Sequence, residues 1–470
     1  MIDSFVLPAG FALLVAGVVA LHEFARVARH GADLMSLFML IFGIQCLFPL
    51  ASLGLFFAFA NGSVVTEIPL FDGIYEQVKP VGFTLVVAFA AMFSMVIYLA
   101  YGVTVNQLSV LNDGRRPRQI GVRKPVYLTV VVIGLLSGVY LLLSFGDGLL
   151  GGYASLVRFR NLDESIERGF VNANLFSLTQ TFLFIGMLGP FVVGRAAGIS
   201  RAWPLWLAII AALASFGASR RAVFIPVFFA ILVVLLRKGR VGILGPLVVG
   251  VLAGIVVVFG KPFLNLVAGN RASVDVDPAA LANYVLLFVS EVGISVVESL
   301  GTIAMIDVPL RFGIDHLLSI LRRIPTGMMG FEPFLPERFV RHSTEVFLGP
   351  DALDVPPGFF GQMWLDFWAF GPLVYGIVIG LLLGCIETVR RAFVNDWPAA
   401  ALFSLLLFVF ALPVNTGSLD FNFYVDIVGL FLLAFLFVRI RGVRGLGPGS
   451  DRVQRVGSSG ATSPPDGVAR

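Results

Sequence analysis

Apolar residues in this chain come in long runs, and polar residues fall between the runs instead of alternating with them. The runs lie near 5–21, 33–58, 79–100, 125–145, 173–194, 203–217, 222–236, 241–260, 363–384, 399–413 and 423–438. Most reach the roughly 17–25 residues that a membrane-spanning helix requires. The pattern predicts an all-α polytopic membrane protein with about eleven transmembrane helices and a large periplasmic loop over 262–360. The runs at 203–217 and 222–236 are short and fit either two crossings or one bent hairpin. Lumen-facing polar alternation is missing, which argues against a barrel. The first run lacks a positive start and a small-residue cleavage pattern, so it reads as a retained helix and not a signal peptide.

The 262–360 segment is not uniform. Its stretch LANYVLLFVSEVGISVV carries Glu291 and Glu298 at roughly helical spacing. That fits an amphipathic helix on the membrane surface or a shallow re-entrant segment. From 311 onward Pro325, Pro333, Pro336 and Pro356-Pro357-Gly358 interrupt helices repeatedly. The reading is a folded cap over the bundle, returning to the membrane at Phe359.

Composition agrees with the pattern: 58% of the 470 residues are hydrophobic and 13% are charged, with a mean hydropathy of +0.93. Soluble domains are about 25% charged. The formal charge of +4 reflects orientation in such a chain and does not point to nucleic acid. Arg26, Arg29 and His30, then Arg115 to Lys124, Arg195 and Arg201, Arg237 to Arg240, Arg390 and Arg391, and Arg439 to Arg444 all follow odd-numbered spans. With eleven spans they share one side, predicted to be cytoplasmic, which puts the N-terminus in the periplasm and the C-terminus in the cytoplasm. Residues 1–444 form the membrane domain with its loop. The Gly-, Ser-, Pro- and Arg-rich 445–470 reads as a disordered cytoplasmic tail. Cys46 and Cys385 lie far apart in apolar runs and suggest neither a disulfide framework nor a zinc site. Gly376, Gly380 and Gly384 recur every fourth residue, a spacing assigned to close helix packing.

Candidate chemistry sits at the ends of runs. Ser219-Arg220-Arg221 interrupts two apolar runs, where charge is costly and usually functional. The guanidinium fork suits phosphate oxygens; snorkelling to headgroups is the plain alternative. Arg271, Arg311, Arg322, Arg323, Arg338 and Arg341 form the basic set of the loop, each also readable as a solvated or ion-paired surface residue. Arg338, Arg341, His342 and Glu345 have spacings that share one helical face. There His342 titrates near neutrality and Glu345 orients it or acts as a base; a capped surface turn fits equally. Glu332 lies between Phe331 and Pro333, and Asp366 among Trp364, Phe367 and Trp368. An acid amid interfacial aromatics suits a sugar site, although aromatics also gather at interfaces for anchoring. Asp275-Val276-Asp277 is a weak metal candidate, so no metal site is assigned. No Walker A motif, HExxH or Gly-x-Ser-x-Gly elbow is present in the sequence.

Three segments carry a resemblance. GASRRAVFIPVFF (217–229), the large loop, and HSTEVFLGP…VPPGFFGQMWLDFWAFGPLVYGIVIGLLLG (342–384) are similar to the Wzy class of bacterial O-antigen and exopolysaccharide repeat-unit polymerases. Gly361-Gln362 stands where Gly-Glu is common in that class. The resemblance implies a GT-C-like membrane glycosyltransferase of lipopolysaccharide or exopolysaccharide biosynthesis, polymerising undecaprenyl-diphosphate-linked repeat units at the periplasmic face of the inner membrane. It implies no cofactor. Arg220 or Arg221, with Arg271, Arg311 or Arg341, would hold the donor diphosphate and stabilise the leaving group. His342, Glu345 or Glu332 would deprotonate the acceptor, and Asp366 would contact sugar. The implied partners are lipid-linked glycans, membrane lipids and a chain-length regulator, with no nucleic acid. An O-antigen ligase acting on lipid A core and a transporter of lipid-linked oligosaccharide are the rival readings.

Overall fold

The computed structural model describes residues 3–59, 78–110, 118–145, 148–149, 151–152, 155, 232–237, 293–304, 310–316, 357–394, 397–416 and 438–442. They form a helical bundle with one small ribbon. Helix α1 (Asp3–His30) is followed by α2 (Leu34–Phe42), a π-helical turn (Gly43–Leu47) and α3 (Phe48–Phe59). Then come α4 (Pro80–Ser109), strand β1 (Arg118–Val122) and α5 (Lys124–Phe145). The later part holds α6 (Ile294–Ala304), α7 (Phe359–Phe367), a 3₁₀ turn (Trp368–Phe370), α8 (Gly371–Arg391), α9 (Trp397–Thr416) and β2 (Val438–Gly442).

The helix starts follow local chemistry. Asp33 has extended backbone and accepts a bond from the Ser36 amide at 2.9 Å, which caps α2. Pro80 stands in the first turn of α4, where its missing N–H loses nothing. Outward-facing apolar side chains are plentiful, Leu7, Leu99 and Leu136 among them, each more than half exposed. Such a surface matches lipid better than water.

Helices α1, α4 and α8 run in the same direction. Phe5 packs on Phe83, and farther along the Tyr98 hydroxyl donates to Glu23 at 2.6 Å. Gly376, Gly380 and Gly384 of α8 lie in order against Val96, Ala100 and Thr104 of α4, so the predicted packing role of this repeat is borne out. The α2–α3 pair runs back between them, with Phe38 on Phe93 and Phe57 on Phe83.

Most of the described basic residues gather at one end, Lys79, Arg311 and His316 apart. There β1 pairs antiparallel with β2, with Arg118 opposite Gly442 and Val122 opposite Val438. The Arg118 amide donates to Ala392 O at 2.9 Å, and the Val394 amide donates to Arg118 O at 2.8 Å. The Arg237 guanidinium lies 5.9 Å over the Trp397 ring.

Five helical segments among the described residues are long and apolar enough to cross a membrane: Phe5–His30, Leu34–Ala58, Pro80–Ser109, Pro125–Ser144 and Phe359–Arg391. The chain is a multi-pass membrane protein. The expectation of about eleven spans with a large periplasmic loop is corrected to these five. The runs at 173–194, 203–217, 241–260 and most of 222–236 and 423–438 lie outside the described residues, as does the 445–470 tail. The loop reading fails on physical grounds where it is described. Every residue of α6 from Ser295 to Ile303 is buried, so this segment is packed into the body and does not lie on the membrane surface. Pro357 onward is likewise buried up to Met363. No external-loop architecture is evident among the described residues.

Candidate functional site

The junction of α6, α7 and α8 concentrates buried polar groups. Helix α7 begins inside the bundle, where its first amides have no water to satisfy them. Ser295 Oγ accepts from the Phe359 amide at 2.9 Å and Ser299 Oγ from the Phe360 amide at 3.1 Å. Thr302 Oγ1 donates to Pro357 O at 3.0 Å. The fit requires glycine: Gly358 has φ +71, and a Cβ on Gly361 would sit 2.8 Å from Thr302 Cβ. Helix α7 then lies across the start of α8, with the rings of Phe359 and Phe367, at its two ends, both packed against Tyr375. The chain turns at Trp368, whose φ of +49 is unusual for a bulky residue.

Asp366 sits in the last turn of α7 with 0% exposure. A carboxylate there is unfavourably placed against a helix C-terminus, so its donors must come from elsewhere, and they do. Gln362 Nε2 and the Gly313 amide each donate to Oδ1 at 3.0 Å. Tyr375 Oη donates to Oδ2 at 2.5 Å, and His316 Nε2 lies 3.4 Å from the same oxygen. His316 Nε2 is 2.6 Å from Tyr375 Oη. The 310–316 segment is pinned there by its backbone, Arg311 N to Leu365 O at 2.8 Å and Phe312 N to Asp366 O at 3.2 Å. Arg311 itself bonds Asp315 through Nε at 2.8 Å. That bond outweighs its partial burial and raises the guanidinium above its ordinary value.

A second polar cluster closes the basic end. Arg26 bonds Glu23 at 3.0 Å, Asp33 at 2.7 Å and Ser36. Tyr101 donates to Asp33 at 2.8 Å. Glu387, fully buried, accepts from Arg390 at 2.7 Å, from Arg391 at 3.0 Å and from the Leu34 amide at 3.5 Å. Burial opposes ionisation of Asp33, but the Arg26 bonds and charge, the Ser36 amide and the Tyr101 hydroxyl outweigh it and hold its pKa below the ordinary carboxylate value.

Of the sequence-derived site residues, Arg311 and Asp366 are described, and the fold brings them to one place: the backbone of Arg311 is bonded to the residue preceding Asp366. Arg220, Arg221, Arg271, Glu332, Arg341, His342 and Glu345 lie outside the described residues. His316 and Tyr375 were not singled out from sequence, and Gln362 was noted only as a departure from the Gly-Glu of the resembled class. The only local signals were Gln362 one turn before Asp366 and Tyr375 beyond the break.

The polymerase reading, with its glycosyltransferase activity and its O-antigen and GT-C vocabulary, is corrected here, together with its ligase and lipid-linked oligosaccharide transporter rivals. It required an eleven-span body with a large external loop, whereas the described residues hold five candidate spans and a buried α6. They also bring no catalytic cluster together, and no group of three or more His, Cys, Asp or Glu that could hold a metal ion. Comparison with known families, curated proteins and solved structures yields no match.

Proposed function

We propose that this protein is a proton-linked transport protein of the bacterial cytoplasmic membrane, with His316, Tyr375 and Asp366 as its proton-handling centre. Its basic end faces the cytoplasm and its N-terminus the outside, following the bias of Lys and Arg toward cytoplasmic segments. Membrane lipids are its surroundings; lipid-linked glycans and a chain-length regulator have no part in this reading. The observation that carries it is the hydrogen-bonded chain from partly exposed His316 through Tyr375 to fully buried Asp366. Ionisable groups buried among membrane helices mark ion and proton pathways. The setting agrees: a short helix begins inside the bundle and is broken from its successor, as in transporters whose sites lie at discontinuous helices.

The proton inventory shows what such a chain does. Tyr375 has one hydroxyl proton. When it is donated to an ionised Asp366, His316 must present an Nε2–H to the phenol oxygen. When Asp366 is protonated, its O–H donates to Tyr375 Oη and Tyr375 donates to a bare His316 Nε2. A proton passing from Asp366 to Tyr375, with the phenol proton passing to His316, converts the protonated acid and neutral imidazole into carboxylate and imidazolium. The proton count is unchanged, and one proton has in effect passed from Asp366 Oδ2 to His316 Nε2, 3.4 Å away.

Proteoliposomes containing an internal pH dye, with a potassium diffusion potential driving proton entry, test this. The wild type acidifies the lumen, and Tyr375→Phe, which keeps the ring packing, and Asp366→Asn do not. Unaltered acidification by correctly folded Tyr375→Phe protein would reject the relay and leave Asp366 as a structural tie between α7 and the 310–316 segment.

A further inference from the structure

The basic end has a property independent of that relay. Among its described residues every acid is turned inward and ion-paired: Glu23 and Asp33 to Arg26, Glu387 to Arg390 and Arg391. The groups left facing outward are Arg29, His30, Arg118, Arg123 and Arg391, all exposed. Among the described residues the internal cluster therefore consumes the negative charge of this end, and what they show their surroundings is positive. The exposed arginines also stand at a definite depth. Phe24 precedes Arg29 on α1 and Val389 precedes Arg391 on α8, and both apolar side chains are more than half exposed. Trp397, an amphipathic ring of the kind that settles at the interface, is part-exposed at the same end. The ribbon holds Arg118 beside this level, since its amide and carbonyl are tied to Ala392 and Val394.

We propose that this end is a docking surface for anionic phospholipid headgroups, with Arg29, Arg118, Arg123 and Arg391 supplying the phosphate contacts and the apolar residues before them lying among the acyl chains. Guanidinium forks match phosphate oxygens. An acidic protein partner fits less well, because the same end carries exposed apolar residues directly behind its charges. The proposal goes beyond the transport reading and stands or falls separately from it.

Purified full-length protein in mixed micelles, measured by native mass spectrometry for retained lipid, tests it with phosphatidylglycerol against phosphatidylcholine. The wild type retains phosphatidylglycerol preferentially, and the preference weakens with added salt. A triple variant, Arg29→Gln, Arg118→Gln and Arg123→Gln, leaves the internal ion pairs untouched. It loses affinity by about fivefold per arginine, as expected for basic residues at an anionic surface. Lys79→Gln, an exposed cation at the opposite end of α4, has no such effect. Equal retention of the two lipids by the wild type overturns the proposal. So does a triple variant that binds phosphatidylglycerol as the wild type does, or a Lys79→Gln variant that loses as much.

Discussion

Helices α4 and α8 touch along a row of glycines, and the consequence of adding one methyl can be worked position by position. At Gly380 a Cβ would stand 2.8 Å from the Ala100 Cβ and 2.8 Å from the Ile97 carbonyl oxygen. Neither is the end of a flexible side chain, so the helices themselves must separate. At Gly384 the Cβ would meet Thr104 Cβ at 2.6 Å, and Thr104 is held by its bond to Ala100 O. At Gly376 the obstacle is Val96 Cγ1 at 2.9 Å, with Val96 Cβ at 3.0 Å, a side chain with some room to shift. Overpacking of this kind costs about 1–3 kcal/mol. Gly380→Ala and Gly384→Ala fall in the upper part of that range and Gly376→Ala in the lower. Gly102, on α4 itself, has nothing within 4 Å of its added Cβ. Gly102→Ala is therefore neutral or stabilising by up to about 1 kcal/mol through helix propensity. Thermal unfolding of detergent-solubilised protein, followed by loss of the monodisperse gel-filtration peak, orders the four variants. If Gly380→Ala unfolds together with Gly102→Ala, the close α4–α8 contact is not what holds this pair.

Three further outcomes follow from the polar clusters. Glu387→Gln leaves Arg390 largely buried without its counter-charge and destabilises by about 3–5 kcal/mol, whereas the Glu387→Gln, Arg390→Gln double variant recovers most of that loss in the same unfolding assay; half-exposed Arg391 contributes little. Ser295→Ala and Ser299→Ala each remove the acceptor of an α7 amide and cost about 1 kcal/mol, while Ser109→Ala, at an exposed bond to Asn106 O, is silent. Asp33 has a folded pKa below its unfolded value, so its contribution is complete above about 3.9. That contribution is lost as pH falls through the folded pKa; Asp33→Asn therefore lowers stability at neutral pH and flattens the acid limb of the unfolding midpoint against pH.

Features that depend on local periodicity were legible in the sequence. The runs at 5–21, 33–58, 79–100 and 125–145 correspond to α1, α2–α3, α4 and α5, because a lipid-facing helix must be apolar over its whole length. The Gly376, Gly380 and Gly384 spacing named a packing face without needing its partner. The α6 segment was left between a surface helix and a shallow re-entrant segment; its burial, which excludes the first, involves Gly358 and Gly361, some sixty residues later, which no local window contains. The single run assigned to 363–384 missed the break at Trp368, since an apolar stretch reads alike whether straight or folded on itself. Asp366 was visible as an acid among aromatics and was read there as a sugar contact, without the partners the fold gives it. Its partners His316 and Tyr375 reach it across a helix break and from a segment fifty residues earlier. The inward-turned Arg26, Asp33 and Glu387 cluster escaped notice for the same reason: each residue, taken alone, was one more charge at a helix end.

The serine caps on α7 also set an order of assembly. The residues from Phe359 to Arg391 read as one continuous apolar stretch to any machinery that sorts segments by hydropathy, yet α7 cannot rest in lipid by itself, because its leading amides would face hydrocarbon with nothing to accept from them. Their acceptors, Ser295 and Ser299, belong to a helix made earlier in synthesis. Helix α7 is thus the late piece of this bundle: α6 has to be seated first, with α8 in place to turn against, before the short helix can leave the interface and enter the interior. A chain arrested between those two events would hold α7 at the membrane surface, with Asp366 hydrated and its bond to Tyr375 not yet made.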